Sequence, residues 1–320
     1  MKLVYYRKTI PNFGDDLNTR LWPVLEPALF DADPAHGFVG IGTIIGMPID
    51  PALTRLTVFS SGMGNDPIDA WSNRTVDHAC VRGPISARLL KLPERAGLTD
   101  GAILTPLAPA FPSRAGAGTG TLLIPHWETL GHPGWDEVAA ATGFEVVDPR
   151  GTPEEVIGRI ADAKLVITES LHGAILADVY GIPWIAFATS RNFSVTKWVD
   201  WTLSVGLPFE LTLVPPPDAG PVLAFGRRPE PLGTLLRFDA EDAIVEVEQR
   251  LAPAGPAPKL SVKAMLKKSK WIRPFLSYSP ARTAEALLKV AKTTPMLSDE
   301  GRRTALQSEM RDRLAALNCR

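Results

Sequence analysis

The chain has 320 residues, 34 Lys and Arg against 35 Asp and Glu (formal net charge −1), with 45% apolar and 22% charged residues. These are the proportions of a globular domain protein, and the length exceeds what one hydrophobic core ordinarily serves, so two domains are expected. Two cysteines, Cys80 and Cys319, are too few for a disulfide framework or a four-thiolate zinc site and point to a reducing compartment; the opening MKLVYYRKTIPNFGDD lacks the apolar core of a signal peptide, and no apolar run reaches membrane-spanning length.

Charge is unevenly spread. Met1–Gly255 holds 20 basic and 30 acidic residues and Pro256–Arg320 holds 14 and 5, so a body of −10 is joined to a tail of +9. Such a tail suits an anionic partner, either a membrane surface or a phosphorylated substrate, and equally a solvated helical face.

In chain order, short apolar runs alternate with stretches of helical period, the pattern of βα units and a parallel sheet. Strands are expected at Leu3–Tyr6, Phe38–Ile41, Leu56–Ser60 and His78–Val81, with helices after Gly14 and from Pro84 to Leu92. The Pro-, Gly- and Ala-rich run Thr105–Gly120 reads as an interdomain linker. Beyond it, Thr121–Ile124 and Phe144–Val147 read as strands, and Thr152-Pro153-Glu154-Glu155 opens a helix with a Thr cap, Pro in first position and Glu155 completing a capping box. Leu165–Thr168 is a strand, and a helix runs from Leu171 to Tyr180 with Leu171, Ile175 and Val179 on its buried face. Gly181 takes the left-handed position after it, Pro183 stops it, and Trp184–Phe187 is the next strand. A helix spans Val195–Val205, the Pro-rich segment to Leu236 reads as loop, and a helix over Ala240–Leu251 closes the second domain. Three helical patterns follow: a lysine face of Lys259, Lys263, Lys267 and Lys270 opposite Val262, Leu266 and Ile272; then Ala284, Leu287, Leu288 and Ala291; then Leu306, Met310, Leu314 and Leu317. The expected organisation is an α/β domain over 1–115, a second over 116–255, the two facing one cleft, and a basic helical tail over 256–320.

Several chemistries find no support. There is no P-loop, and Gly40-x-Gly42-x-x-x-Gly46 departs from the dinucleotide fingerprint. Five histidines without HExxH or CxxC speak against a protein-held metal. Basic residues and aromatics do not interleave and the body is acidic, so no nucleic-acid partner is expected.

The informative stretch is Thr168-Glu169-Ser170-Leu171-His172-Gly173-Ala174, where a parallel strand turns into a helix. Open α/β sheets bind ligands at this edge, and free N–H groups at a helix start favour anions. Ser170 is placed to cap, His172 falls in the first turn and Gly173 admits a close ligand. The dipole disfavours an imidazolium, so His172 would gain its proton when an anionic substrate arrives; the competing view is a packed histidine bonded to a nearby carbonyl. Three further clusters lie at equivalent edges. Asn12-Phe13-Gly14-Asp15-Asp16-Leu17-Asn18 places two carboxylates at a helix start: Asp16 and Asn18 cap and solvate, while Asp15 is available as a base toward a sugar hydroxyl. Arg82-Gly83-Pro84 sets a guanidinium at the sheet edge, as a ligand contact or a structural ion pair. His126 ends the strand TLLIP at the matching edge of the second domain.

GDDLN, VGIGTI, FSSGMG, VRGPIS, the strand ending in IPH, DPRGTPEEVI and ITESLHGAILADVYGIPWIAF, in this order from Lys2 to Leu207 and continued by KWVDW, resemble the polysaccharide pyruvyl transferases, nearest the subgroup of succinoglycan-type exopolysaccharide assembly. The resemblance implies two Rossmann-like domains arranged as in GT-B glycosyltransferases. It also implies transfer of pyruvate from phosphoenolpyruvate onto two hydroxyls of a glycan or lipid-linked acceptor as a cyclic ketal, without metal or organic cofactor. The family histidine maps onto His172; where some members carry Arg before Leu-His this chain has Ser170, so the cation must come from elsewhere, with Arg191 and Lys197 nearest in sequence. The expected roles are His172 as general acid and phosphate partner, His126 as second acid/base or donor-binding residue, Asp15 as acceptor-side base, and Arg82, Arg191 and Lys197 as anion clamps, with Gly14, Ser170 and Gly173 shaping the pocket. A nucleotide-sugar glycosyltransferase of the same fold and a non-catalytic carbohydrate-binding or scaffold protein are the alternatives. The expected location is cytoplasmic, with the lysine face, Trp271 and Phe275 held against anionic lipid at the inner membrane surface, or with the tail helices packed back on the core.

Overall fold

In the computed structural model, which describes residues 1–7, 9–30, 33–64, 66–116, 118–252 and 278–319, the βα alternation resolves into two sheets. The first half runs β1 (Lys2–Val4), α1 (Phe13–Leu25), β2 (His36–Val39), β3 (Arg55–Ser61), β4 (Thr75–Val81) and α2 (Pro84–Leu89). The second runs β5 (Gly120–Ile124), α3 (Trp127–Leu130), α4 (Trp135–Thr142), β6 (Glu145–Val146), α5 (Pro153–Ala161), β7 (Ala163–Thr168), α6 (Leu171–Val179), β8 (Trp184–Ala188), α7 (Val195–Ser204), β9 (Phe209–Leu213), α8 (Gly220–Phe225), β10 (Leu235–Phe238) and α9 (Ala240–Leu251). Two more helices, α10 (Pro280–Val290) and α11 (Glu300–Ala316), follow.

The first sheet is all parallel, in the order β1-β2-β3-β4. The second has the order β10-β9-β8-β7-β5-β6 and is parallel except for β10, which returns antiparallel along β9. Ile124 on β5 lies opposite Thr168 on β7, which lies opposite Ala186 on β8, so these strands finish together at one carboxyl edge. One apolar cluster runs through both halves, joining Leu17, Trp22, Phe38 and Phe59 to Ile124, Trp184 and Trp201.

Local signals account for several elements. Thr152 and Glu155 form the capping box, each side chain accepting the other's backbone N–H at 3.3 and 3.2 Å. Gly181 closes α6 at φ +71°, where a Cβ would be strained.

Four expectations need correction. Thr105–Gly120 does not begin as a linker: residues Gly101–Leu107 form a 3-10 helix whose Thr105, with Ala108 and Phe111 after it, is buried. Gly101 makes this possible, since a Cβ there would stand 2.5 Å from both Ser60 Oγ and Trp22. The Pro-rich segment before Leu236 is not a loop but contains β9, α8 and β10. Burial decides this, because Phe209 stacks against Phe193, Trp198 and Phe238, and Leu211 and Leu213 enter the core. On α6 the buried face is not the stripe Leu171, Ile175, Val179; residues 173–178 are buried all round and those two ends are half-exposed, because the helix is enclosed by β7, β8, α5 and the 3-10 turn. Leu288 on α10 is 39% exposed, whereas Ala284 and Leu287 turn inward.

The described residues after position 277 pack onto the body. Thr283 donates to the Pro215 carbonyl at 2.8 Å, Met296 pairs with Trp184 as an antiparallel bridge, Ser298 bonds Asp178, and Met310 and Leu314 are buried, with Met310 against Cys80. Burial pushes the Cys80 thiol up to about 12, so it is inert at neutral pH. The lysine face Lys259–Lys270, with Trp271 and Phe275, lies outside the described residues. Among the described residues no helix is long and apolar enough to cross a membrane.

Candidate active site

The turn after β7 is held by Thr168, whose Oγ1 accepts the Ser170 N–H at 2.8 Å and lies 3.1 Å from the Ile124 carbonyl. Ser170 caps α6, its Oγ accepting the Gly173 N–H at 3.4 Å, which sets His172 in the first turn with its side chain 12% exposed. Gly173 serves packing, because a Cβ there would stand 2.5 Å from Thr168 Oγ1. Gly14, at the start of α1, faces the imidazole directly: a Cβ would fall 2.1 Å from His172 Nδ1, so residue 14 must be glycine while His172 keeps this rotamer. The alternative of a histidine bonded to a carbonyl is not found; Nε2 makes no hydrogen bond to any described residue and lies 3.9 Å from Asp100 Oδ2.

The loop before α1 is self-capped. Asn12 Oδ1 accepts the Gly14 N–H and Asp16 Oδ2 accepts the Asn12 N–H, each at 3.2 Å. Asn18 does not solvate the helix. It is fully buried, donates to the Asp15 and Ile41 carbonyls and accepts from the Ile41 N–H and Trp22 Nε1, so its bonding capacity is used structurally.

Arg82, at the end of β4, makes the structural ion pair that is one of its two expected roles. It is 1% exposed; its Nε donates to Asp200 Oδ2 at 3.1 Å and its Nη1 to Thr43 Oγ1 at 2.7 Å, while Nη2 has no partner among the described residues. Asp200 also accepts the Ser86 N–H at 3.0 Å and the Ser86 hydroxyl at 2.6 Å, tying α7 to the start of α2. Lys197 stands in the first turn of α7, whose amino end is capped by Glu246 through the Thr196 N–H at 2.7 Å and the Val195 N–H at 3.1 Å.

Charge and burial set the proton affinities. His172 is held below its ordinary value first by burial, then by the Arg82 and Lys197 cations, with Asp100 opposing. Lys197 is pulled down to about 8 first by burial and next by Arg82 and Arg250, against the pull of Asp15 and Glu246. Five expected residues, His172, Gly14, Arg82, Lys197 and Asp15, therefore act on one another.

His126 and Arg191 take their contacts elsewhere. His126 caps α3, with Nδ1 accepting the Glu128 N–H at 3.4 Å and standing 3.3 Å from Asn192 Nδ2, and its own N–H binds Glu169 Oε2 at 3.2 Å. Glu169 is buried and its carboxyl is raised by that burial, although Thr189 donates both its N–H and its hydroxyl to it at 2.6 and 2.7 Å. Arg191 is exposed, with its N–H on the Gly226 carbonyl.

Asp100, Ser60 and Asp200 belong to this neighbourhood and were not singled out by the sequence. Asp100-Gly101 carries a local turn signal, but 72 positions separate Asp100 from His172, and only the fold opposes them. Among the described residues no group of three or more His, Cys, Asp or Glu is placed to hold a metal. Two surface grooves, one between β1 and Met47–Asp50 and one between β9 and α10, are lined by neither His172, Arg82 nor Lys197.

Residues 117–191, which include His126, Ser170, His172 and Arg191, match the model of the family described as polysaccharide pyruvyl transferase. Over 283 residues the chain is 31% identical to the succinoglycan biosynthesis protein ExoV of Rhizobium meliloti (strain 1021), covering 85% of this chain and 89% of that protein. Among solved structures, the wall teichoic acid polymerase TagF, H444N variant, overlays with a TM-score of 0.32 at 6% identity across 88% of this chain and 74% of that one, too slight a likeness to argue from. The extent of the ExoV match, with the family model over the β5–β8 unit that presents His172, shows that the chain is a transferase enzyme belonging to the polysaccharide pyruvyl transferase family.

Proposed function

We propose that the protein transfers pyruvate from phosphoenolpyruvate onto two hydroxyls of a sugar, in an exopolysaccharide or its lipid-linked precursor, giving a cyclic ketal and inorganic phosphate. The observation that carries this reading is that two cations, buried Arg82 and Lys197, act on His172 in the first turn of α6, while Arg82 Nη2 has no partner among the described residues. Phosphoenolpyruvate is a compact trianion near neutral pH, and a buried guanidinium, an ammonium and helix N–H groups are the donors it needs. His172 delivers a proton to the methylene carbon while the first sugar hydroxyl adds at the neighbouring carbon and gives its proton to Asp15. The second hydroxyl then forms a C–O bond as the C–O bond to phosphate breaks, passing its proton back to the neutral imidazole of His172, and Arg82 and Lys197 hold the departing phosphate. His126 and Arg191, whose contacts are with Glu128, Glu169 and Asn192 and with Gly226, are given no role in these steps. A GT-B-like pairing of the two sheets and a peripheral membrane location through Lys259–Lys270 belong to the same proposal.

Oligosaccharides from the exopolysaccharide of a strain lacking this protein provide the acceptor for a test. Each ketal adds about 70 Da by the atoms of the reaction and releases one phosphate. A mass gain only with nucleotide sugars would replace the proposal by glycosyl transfer, and no gain with either donor would leave a binding or scaffold protein.

Lys197 provides a second check. Its ammonium loses its proton as pH rises through about 8, so phosphoenolpyruvate capture by the wild type should weaken across that value. A lost charge-assisted bond removes about 1.5–3 kcal/mol, so Lys197→Met should raise KM for phosphoenolpyruvate roughly ten- to hundredfold and abolish this pH dependence. An unchanged profile would remove Lys197 from the donor site.

A further inference from the structure

Four buried polar atoms in this neighbourhood, Ser60 Oγ, Arg82 Nη2, Asp100 Oδ2 and His172 Nε2, have no hydrogen-bond partner among the described residues. Native interiors pair such atoms, so several left open together call for a physical reason. Two of them face each other: Asp100 Oδ2 stands 3.9 Å from His172 Nε2. The carboxylate is locked in place. Asp100 is 1% exposed, its other oxygen accepts the Ala102 N–H at 3.0 Å as cap of the 3-10 turn, and Gly101 after it admits Ser60 and Trp22 at van der Waals range. Ser60 itself holds φ +69°, rare for a residue with a side chain, at a point where the pairing of β3 with β4 shifts register. On another edge of the imidazole, Nδ1 occupies the place where the side chain of residue 14 would be, which only a glycine at 14 permits.

We propose that Asp100 is the positioning residue for His172: its free oxygen holds the Nε2 proton, so that Nδ1, over Gly14, is the nitrogen that carries a proton to the substrate. Tightening from 3.9 Å to a charge-assisted contact needs a ring movement of about 1 Å, of the kind catalytic contacts make when substrate binds. The charges facing His172 are Asp100 from the 3-10 turn, Arg82 from the end of β4 and Lys197 from α7, with Asp15 of α1 acting on Lys197. A bound trianion offsets the two cations, and Asp100 is then the protein charge that favours the imidazolium. The nature of the transferred group rests on the function proposed above; the Asp100–His172 pairing does not.

The test reads the ring itself. In protein labelled with 15N-histidine, and with His172→Ala assigning the signal, neutral His172 should be the Nε2–H tautomer. Asp100→Asn keeps the oxygen that caps the turn, so the fold is retained, and turns a carboxamide NH2 toward Nε2. The proton should then move to Nδ1 and the titration midpoint of His172 should fall, since the charge that raised it is gone. In turnover, kcat should fall about a hundredfold or more with KM for phosphoenolpyruvate little changed, as happens when a general acid or base is locked in the wrong tautomer. An Nδ1–H tautomer in the wild type, or a midpoint and tautomer that Asp100→Asn leaves unmoved, overturns the proposal. Because the wild-type tautomer needs neither the variant nor substrate, it decides the matter even if Asp100→Asn does not fold, and a failure to transfer pyruvate would remove the proposed reaction alone.

Discussion

Replacement of His172 by alanine should reduce pyruvyl transfer by about 10²–10⁴-fold, the range contributed by a positioned general acid. The fold should survive, because the side chain is enclosed by Gly14, Phe13 and Asp100 yet forms no hydrogen bond among the described residues that its loss would leave broken. The pH profile follows from the same surroundings. Burial first, then Arg82 and Lys197, hold the imidazole below its usual proton affinity in the free protein, and a bound anion would raise it, so under the proposed mechanism the donating form gains on binding. Activity in kcat/KM should therefore decline on the alkaline side, and less steeply in kcat, where the bound donor restores the proton. Product mass and phosphate release give the rate, and a thermal melt reports the fold. A folded variant that turns over within tenfold of the wild type would take His172 out of the chemistry.

Asp200→Ala should be the most destabilising single change in the site region. Asp200 is fully buried and its carboxylate receives Arg82 Nε, the Ser86 N–H and the Ser86 hydroxyl, while a Cβ at Gly83 would stand 1.9 Å from the Asp200 carbonyl oxygen. Its loss strands a guanidinium that is 1% exposed and uncaps α2. Breaking one partner of a buried pair costs about 3–5 kcal/mol, which urea unfolding would read directly. The exposed pair Arg88–Glu241 supplies the contrast: removing it should change stability by under about 1 kcal/mol, since solvent already screens both groups. A loss below about 1 kcal/mol for Asp200→Ala would mean that Arg82 is held by other means and that the joint between α2 and α7 is not its anchor.

Much of the second half was legible because its signals are local. A Thr-Pro-Glu-Glu start, a glycine that only a left-handed position explains and a proline stop lie within a few residues of what they govern, and α5, α6 and β8 begin or end where those residues require. The segment before Leu236 misled because proline content argues against regular structure, whereas Phe209, Leu211 and Leu213 form a strand through burial against residues far along the chain. Thr105–Gly120 misled in the same way: composition suggested a tether, and contact with Trp22 and Ser60 made its first part a packed turn.

The amino-acid sequence by itself determined that His172 opens a capped helix at a strand's carboxyl end and that Arg82 closes another strand, because caps, turns and apolar periods act over one or two turns of chain. Only the tertiary structure decided that Gly14 faces the imidazole, that Asp100 stands opposite it, that Lys197 acts on both it and Arg82, and that His126 lies with Asn192. The distance of 3.9 Å between residues 100 and 172 is set by how two sheets share one core, and no local preference encodes it.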